Sequence, residues 1–414
     1  MKIVLVSTFF YPESKAGAIN YVYELAGVLK DAGHTIREFC GTLQSFHAPR
    51  FTQEETLIYR VALPGKDQPF YRYLSIDNPR VRKIFREFLI EEKPDIVHLH
   101  ALQGLGASLV QEAKTLGIPV VATFHDGWWI CAARFFYKHY NRTVCAGPQF
   151  FKCIVCQTRN EEMRPVIIAF LKNMFFLRTR SALMKKMLRQ IDTCIVSSRD
   201  LFSRYCAYGL PEEKLRISSC GIDTQRFSGH AHPYDSSNIR LGFLSGYSEF
   251  KGYFILCAAM RLVKSRNYSL HIWGDVRHAP KDKLPQDKTI LHHQFDRRQV
   301  AGVFSDIDVL IVPSLMVESW SLSVSEAFAS EVPVIAVAAG GIVERMQDGE
   351  TGLLFRHNDP QDLAEKINLL LTNPARIGEL AKKIDKGKDI RMQVKELEEI
   401  YRTVIARKGS HAAH

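Results

Sequence analysis

One local pattern appears twice along this chain, and it narrows the fold more than any other feature. A short apolar block is followed by a glycine-bearing loop and then by a helix-forming segment. In the first half KIVLVS leads to a helix expected from about Ala18 to Asp31, ended by Gly33, and on to HTIREFC; DIVHLH, a helix from Gly106 to Leu116 and IPVVATF follow. The pattern restarts near Arg240 with RLGFLSG, a helix after Gly252, SLHIWG, DVLIVPS, a helix after Glu318 and VPVIAV. Apolar blocks of this length alternating with helices read as βαβ units of a parallel, doubly wound sheet. Two such halves predict an α/β chain of two Rossmann-like domains, with the polar stretch SGHAHPYDSSN, Ser228 to Asn238, as the linker.

In doubly wound sheets ligands bind beyond the carboxyl ends of the strands, so the loops after strands carry the functional information. They read FYPESKAGA, TFHDGWW, SGYSEFKG, WGD, PSLMVESWSLSVSE and AAGGIVE. Gly17 and Gly246 allow close backbone approach, and Lys251 supplies a cation. The helix start after Glu318 offers N–H groups and the positive end of a helix dipole, and the small Ser319, Ser321 and Ser323 leave room for an anion. Together these make a set that holds a diphosphate. Singly, each has a plainer structural meaning: capping serines, a turn glycine, a solvated lysine, and Glu326 as an exposed acid.

A formal net charge of +11 points to an anionic partner without choosing among nucleic acid, a phosphorylated substrate and an anionic lipid surface. The apolar run Ile3 to Val6 is too short for a signal-peptide core, and no stretch reaches the roughly 18 apolar residues of a membrane span. With nine cysteines, an odd number, the expectation is a cytoplasmic chain with reduced thiols. The polar tail GSHAAH is set aside.

The string PSLMVESWSLSVSEAFASEVPVIAVAAGGIVERMQDGETGLLF resembles the donor-site signature of family 4 glycosyltransferases, with its E-x7-E motif, paired glycines and DGxTG ending. YPESKAGAINYVYELAGVLKDAGH, DIVHLH, TFHDGWWIC, CIVSS, SCGIDTQRF and FKG fall in family order, so the resemblance covers nearly the whole chain. It implies the GT-B architecture, two Rossmann-like doubly wound domains facing a cleft. Residues 1–228 form the acceptor domain, 239–385 the nucleotide-sugar domain, and a last helix within 386–408, KELEEIYRTVIA, crosses back to the first. The implied activity is retaining, metal-independent hexosyl transfer from a nucleotide diphosphate sugar to a hydroxyl of a glycan or lipid-linked acceptor. Glu326 then accepts from the ribose hydroxyls and Glu318 from the sugar hydroxyls; backbone N–H groups near Ser321 and Leu322 meet the diphosphate. Gly17 and Gly246 belong to the donor loops, Lys251 faces the leaving phosphate, and His125, beside Asp126, faces the sugar and acceptor.

Three positions depart from the family pattern. Gly246 stands where an arginine is frequent, Gly17 is single where a pair is common, and Glu331 replaces a usual glycine. The string Asp306-Ile-Asp308 imitates a metal-binding D-x-D but enters an apolar strand, and it reads as structural. The alternatives are a nucleotide-sugar epimerase on the same fold and a non-enzymatic, zinc-bearing nucleic-acid-binding protein; the second leaves the glycine loops and E-x7-E unexplained, so no nucleic-acid partner is expected.

Two stretches stand apart from the donor motif. Cys131, Cys145, Cys153 and Cys156 follow TFHDGWWI in a segment of about 131–160, and similar family members also carry later cysteines. Four thiolates with a C-x2-C pair are able to close a structural zinc site, and buried thiols without metal are the other reading. From Met163 to Ile191 there are seven Lys or Arg and no acid, interleaved with Ile167, Phe170, Leu171, Met174, Phe175 and Leu188. That pattern fits either an amphipathic helix lying on the inner face of an anionic membrane or a helix packed on the N-terminal domain with a solvated basic face.

Overall fold

The computed structural model describes residues 1–44, 48–68, 70–160, 165–227 and 235–411. The first part of the expected linker (228–234), Met163 and Arg164 of the basic stretch, and the last residues of the tail lie outside the described residues. In chain order the first half gives β1 (Lys2–Ser7), α1 (Gly17–Asp31), β2 (Thr35–Thr42), β3 (Arg50–Gln53), β4 (Thr56–Ala62), α2 (Tyr71–Leu74), α3 (Pro79–Glu92), β5 (Ile96–Leu99), α4 (Leu109–Thr115), β6 (Val120–Phe124), β7 (Tyr137–Lys138), β8 (Thr143–Val144), α5 (Phe150–Asn160), α6 (Val166–Gln190), β9 (Thr193–Val196), α7 (Arg199–Tyr208) and β10 (Leu215–Ile217). The second half gives β11 (Ile239–Phe243), α8 (Tyr253–Met260), β12 (Tyr268–Ile272), β13 (Thr289–Leu291), α9 (Val300–Ser305), β14 (Val309–Val312), α10 (Leu322–Ala329), β15 (Val334–Val337), α11 (Ile342–Arg345), β16 (Gly352–Phe355), α12 (Pro360–Thr372), α13 (Ala375–Ala381) and α14 (Ile390–His411).

The chain divides into two compact units. The N-terminal unit holds Met1–Arg134, Ala146–Cys220 and Ile390–His414, and the C-terminal unit holds Phe135–Cys145 and Gly221–Asp389. These bounds differ from the sequence boundaries in three places. Residues 135–145 and 221–227, expected in the first domain, belong to the second unit, as do residues 386–389, expected with the last helix. Packing explains the first shift: Tyr137 is part of the hydrophobic core of the C-terminal unit.

The N-terminal sheet has the order β10-β9-β6-β5-β1-β2-β4-β3, parallel except for β3 against β4. The C-terminal sheet has the order β13-β12-β11-β14-β15-β16, parallel throughout. Strands such as β5, β6 and β14 are apolar runs because helices cover both faces of a parallel sheet. Helix α4 starts later than the sequence suggests: Gly106 has φ +103° and forms an antiparallel bridge with Asp77, which no helical residue does.

Helix α14 is built into the N-terminal unit. Val394, Leu397, Tyr401 and Val404 recur at helical spacing and are buried. The Tyr401 hydroxyl meets His98 Nδ1 at 2.7 Å, and Glu398 pairs with His34 at 2.7 Å. Among the described residues no helix is long and apolar enough to cross a membrane.

Helix α10 ends in an unusual way. Val332 N–H bonds the Ala327 carbonyl at 2.8 Å and Glu331 N–H bonds the Phe328 carbonyl at 3.0 Å, the paired bonds of a Schellman cap. That cap needs a left-handed residue, and Glu331 supplies it with φ +58°, the position where the family pattern has glycine. Its carboxylate meets Lys386 Nζ at 2.8 Å, a surface pair of small value. Glu331→Gly is expected to raise stability by about 0.5–1 kcal/mol, since relief of the left-handed strain exceeds the added chain entropy. A chemical-denaturation midpoint that falls instead would contradict this account.

Candidate functional site

In the C-terminal sheet the strand order reverses between β11 and β14, so the loops following these two strands meet where doubly wound sheets bind ligands. One loop carries Gly246 and Lys251, and the other carries Glu318 and Ser321. Lys251 Nζ lies 2.8 Å from Glu318 Oε1; the carboxylate is buried and the ammonium partly open. Gly341 N–H bonds the Glu318 carbonyl at 2.8 Å, which ties in the loop after β15. A Cβ at Gly340, φ +61°, would sit 2.4 Å from that same carbonyl oxygen, so the close approach requires glycine. Gly246 has the same constraint: φ is +54° and a Cβ would lie 2.6 Å from Asp275 N, leaving no space for the arginine frequent in the family.

Ser321 is the N-cap of α10, with φ +66°, a region that favours glycine, and its side chain makes no capping hydrogen bond. Leu322 opens the helix. The strain and the unused capping hydroxyl sit where the sequence expects a diphosphate. Glu326, one turn on, is 5% exposed and paired with Arg297, itself 6% exposed. The sequence missed Arg297, one of two adjacent arginines in QFDRRQV: it turns inward while Arg298 is exposed. Asp308 is fixed by Arg240, whose Nη2 lies 2.8 Å away, in the structural role expected for Asp306-Ile-Asp308.

Residues 135–145 strap this loop within the C-terminal unit. The Phe135 carbonyl accepts from Val317 N–H at 3.1 Å, and the rings of Phe135 and His139 lie edge-on to Phe250, the neighbour of Lys251.

In the N-terminal unit, the carboxyl ends of β5 and β6 open into a recess of about 280 Å³, counting its open mouth, lined by His100, Gln103, His125, Trp128 and Arg134 among others. His100 Nδ1 lies 3.1 Å from His125 Nε2, and the His98 ring is tilted against His100 with ring centroids 4.1 Å apart. Nε2 of His100 is buried without a hydrogen-bond partner. Burial pushes all three imidazoles down, His98 to about 3 and His125 to about 4, with Asp126 opposing the shift of His125 and Arg134 adding to it. His125 is therefore a neutral hydrogen-bonding group at neutral pH. Asp126 accepts from Trp128 N–H at 2.8 Å and pairs with Arg134, which also donates to Gln103. Gly17 is exposed at the first position of α1. The sequence did not single out His98 and His100, although their two-residue spacing on DIVHLH puts both on one face.

Among the described residues no group of three or more His, Cys, Asp or Glu is placed to hold a metal ion. None of the four cysteines expected at a thiolate site, Cys131, Cys145, Cys153 and Cys156, forms a disulfide. Cys153 and Cys156 lie on α5, Cys131 sits in the turn after His125, and Cys145 belongs to the C-terminal unit. The buried guanidinium of Arg180 holds that turn, donating to the carbonyls of Trp128 and Cys131.

The whole chain superposes on sucrose-phosphate synthase from Thermosynechococcus elongatus with a TM-score of 0.72 at 18% identity, covering 98% of this chain and 100% of that one. Anabaena HepE, solved with UDP and glucose, gives a TM-score of 0.66 at 16% identity over 97% and 100%. With one sheet parallel throughout and the other parallel but for its edge strand β3, the molecule is a two-domain, Rossmann-like GT-B fold. The family model described as Glycosyltransferase Family 4 matches residues 16–226, just over half the chain, and the model described as Glycosyl transferases group 1 matches residues 238–373. The chain belongs to glycosyltransferase family 4. It is 28% identical to an uncharacterized 41.2 kDa protein of the cps region of Klebsiella pneumoniae, over 37% of this chain and 40% of that protein. It is 24% identical to the putative colanic acid biosynthesis glycosyltransferase WcaL of Salmonella typhimurium, over 40% and 44%. These matches span less than half of each relative's length. They give no support to the epimerase and nucleic-acid readings.

Proposed function

We propose that the chain is a retaining hexosyltransferase that moves a sugar from a nucleotide diphosphate sugar to an acceptor hydroxyl in polysaccharide biosynthesis, with a lipid-linked acceptor and an anionic membrane as its working surface. The observation that carries the reading is the Lys251–Glu318 pair at the switch point of the C-terminal sheet, beside the strained start of α10. The bond from the anomeric carbon to the diphosphate breaks while the bond to the acceptor oxygen forms on the same face. The acceptor proton passes to the departing phosphate oxygen. Lys251 stabilises the charge growing on that phosphate, Glu318 orients the sugar, and Glu326 reads the ribose. Neutral His125 hydrogen-bonds the acceptor side without adding positive charge. The cation and the helix N-terminus supply the electrostatics, so turnover is expected to withstand a chelator.

HepE was solved with UDP and glucose, which makes UDP-glucose the first donor to try. A bound donor at 100 times its dissociation constant adds about 2.7 kcal/mol, visible as a thermal shift. Lys251→Ala is expected to lower kcat by about 10²–10³ with little change in KM, and the product to keep the donor's anomeric configuration. If no sugar nucleotide in a uridine and guanosine panel shifts the melt, the reading fails.

A further inference from the structure

The α5–α6 pair presents an unusual surface. Helix α6 runs 25 residues, and its outward positions recur every three or four: Ile167 and Ile168, Leu171 and Lys172, Phe175, Arg178, then Lys185, Lys186 and Arg189. Apolar side chains dominate the first half of this outward face, with Lys172 among them, and basic ones dominate the second. Ile167 is 75% exposed and Phe175 61%, and α5 adds Phe151 at 74% with Phe150 and Val155 also open. The face differs from the one read off the sequence: Leu188 is buried, Phe170 and Met174 are partly buried, and α5 contributes aromatics. Asn173 Nδ2 bonds Thr158 Oγ1 at 3.3 Å across the two helices, and Arg72 reaches Asn173 Oδ1 at 2.8 Å, so the inward side is fixed by specific polar contacts.

Exposed aromatic and branched side chains in such number are costly in water and mark an interaction site. Residues 165–191 contain no acid, so the charge that α6 itself presents beside its apolar half is positive; Glu161 and Glu162, between α5 and α6, lie outside the described residues. We propose that the outward face of α5 and α6 docks on an anionic phospholipid bilayer, with Phe151, Ile167, Leu171 and Phe175 entering the acyl boundary while Lys172, Arg178, Lys185, Lys186 and Arg189 pair with headgroup phosphates. A helix lying in the interface sinks its apolar side chains by several ångströms and keeps its cations at headgroup level. Charge complementarity selects the lipid surface over a second copy of this chain, because two copies of one basic face repel. The proposal rests on the membrane part of the function proposed above and assigns it to a face of the N-terminal unit; vesicle binding and the donor thermal shift are read separately, so failure of the docking face and failure of the transferase reading are distinguishable.

The full-length chain is centrifuged with vesicles of phosphatidylcholine alone and with about a third phosphatidylglycerol, at about 0.1 M and about 0.5 M salt. Binding is expected only to the anionic vesicles and to weaken in high salt. Ile167→Ser with Phe175→Ser should lower the partition coefficient about tenfold. Lys185→Glu with Lys186→Glu should do likewise and flatten the salt dependence. Leu369→Ser, which removes a comparably exposed apolar side chain from α12, should leave binding unchanged. Phe151→Ser on α5 serves as the independent apolar variant if the α6 pair loses its circular dichroism signal. Wild type left in the supernatant, equal binding to neutral vesicles, or an equal loss in Leu369→Ser overturns the proposal. A dimer in sedimentation velocity that the α6 variants abolish, without vesicle binding, would assign the face to a second copy.

Discussion

Arg297→Met is expected to destabilise the protein by about 3–5 kcal/mol, because it strips the guanidinium from the buried Glu326 carboxylate. The same change separates two roles for Glu326. If the carboxylate serves only the fold, the double variant Arg297→Met with Glu326→Leu should recover most of the lost stability and bind the donor normally, since a buried ion pair replaced by apolar groups of similar volume is often neutral. If Glu326 reads ribose, the double variant should fold and still lose about 1.5–3 kcal/mol of affinity for both the free nucleotide and the nucleotide sugar. Denaturation midpoints measure the first quantity and titration calorimetry the second. A double variant with restored stability and undiminished nucleotide affinity removes Glu326 from the donor site.

What the sequence revealed, and what it hid, follows from the range of each interaction. The alternation of apolar blocks and helices is local, and it placed β1, β5, β6, β11, β12, β14 and β15. Lys251 and Glu318 were readable because each sits in a motif at a strand end, and their meeting at 2.8 Å follows from the strand order. The β3–β4 hairpin was not readable. Its two turn residues, Glu54 and Glu55, take φ +47° and +63° where Asn-Gly would have announced the turn. The placement of residues 135–145 depends on Tyr137 entering a core assembled from residues more than eighty positions later, and no local pattern encodes that. Arg297 was hidden for the same reason, since only the tertiary fold distinguishes it from Arg298. Cysteine spacing is local in the same way: a C-x2-C pair on one helix fixes two positions and says nothing about where Cys131 and Cys145 point.

Acid should loosen the N-terminal unit well before ordinary carboxylates titrate. His98 and His125 are held at about 3 and about 4, and His100 is also held low, all chiefly by burial. In the unfolded chain each returns to about 6.5, so on lowering the pH the unfolded state takes up three protons that the fold refuses. The stability these neutral rings contribute is complete above pH 6.5 and is lost as pH falls toward their folded values. Glu38 acts in the opposite sense: burial raises it from 4.5 to about 7, so the fold takes up its proton first and gains as pH falls through that range. Three groups against one leave a net two protons, or about 2–3 kcal/mol per pH unit between roughly 6 and 4.5. His271 and His292, also lowered, add in the same direction from the C-terminal unit. Between pH 7 and 5 the melting temperature is expected to fall by roughly 10 °C, given about 2–4 °C per kcal/mol for units of this size. Calorimetry measures the fall, and the imidazole proton resonances of His98 and His125 should stay those of the neutral ring down to about pH 5. A melt that is flat over this range, or rings that titrate near 6.5, would show that the three histidines at the ends of β5 and β6 are open to water, and the assignment of His125 as a neutral hydrogen-bonding group would fall with them.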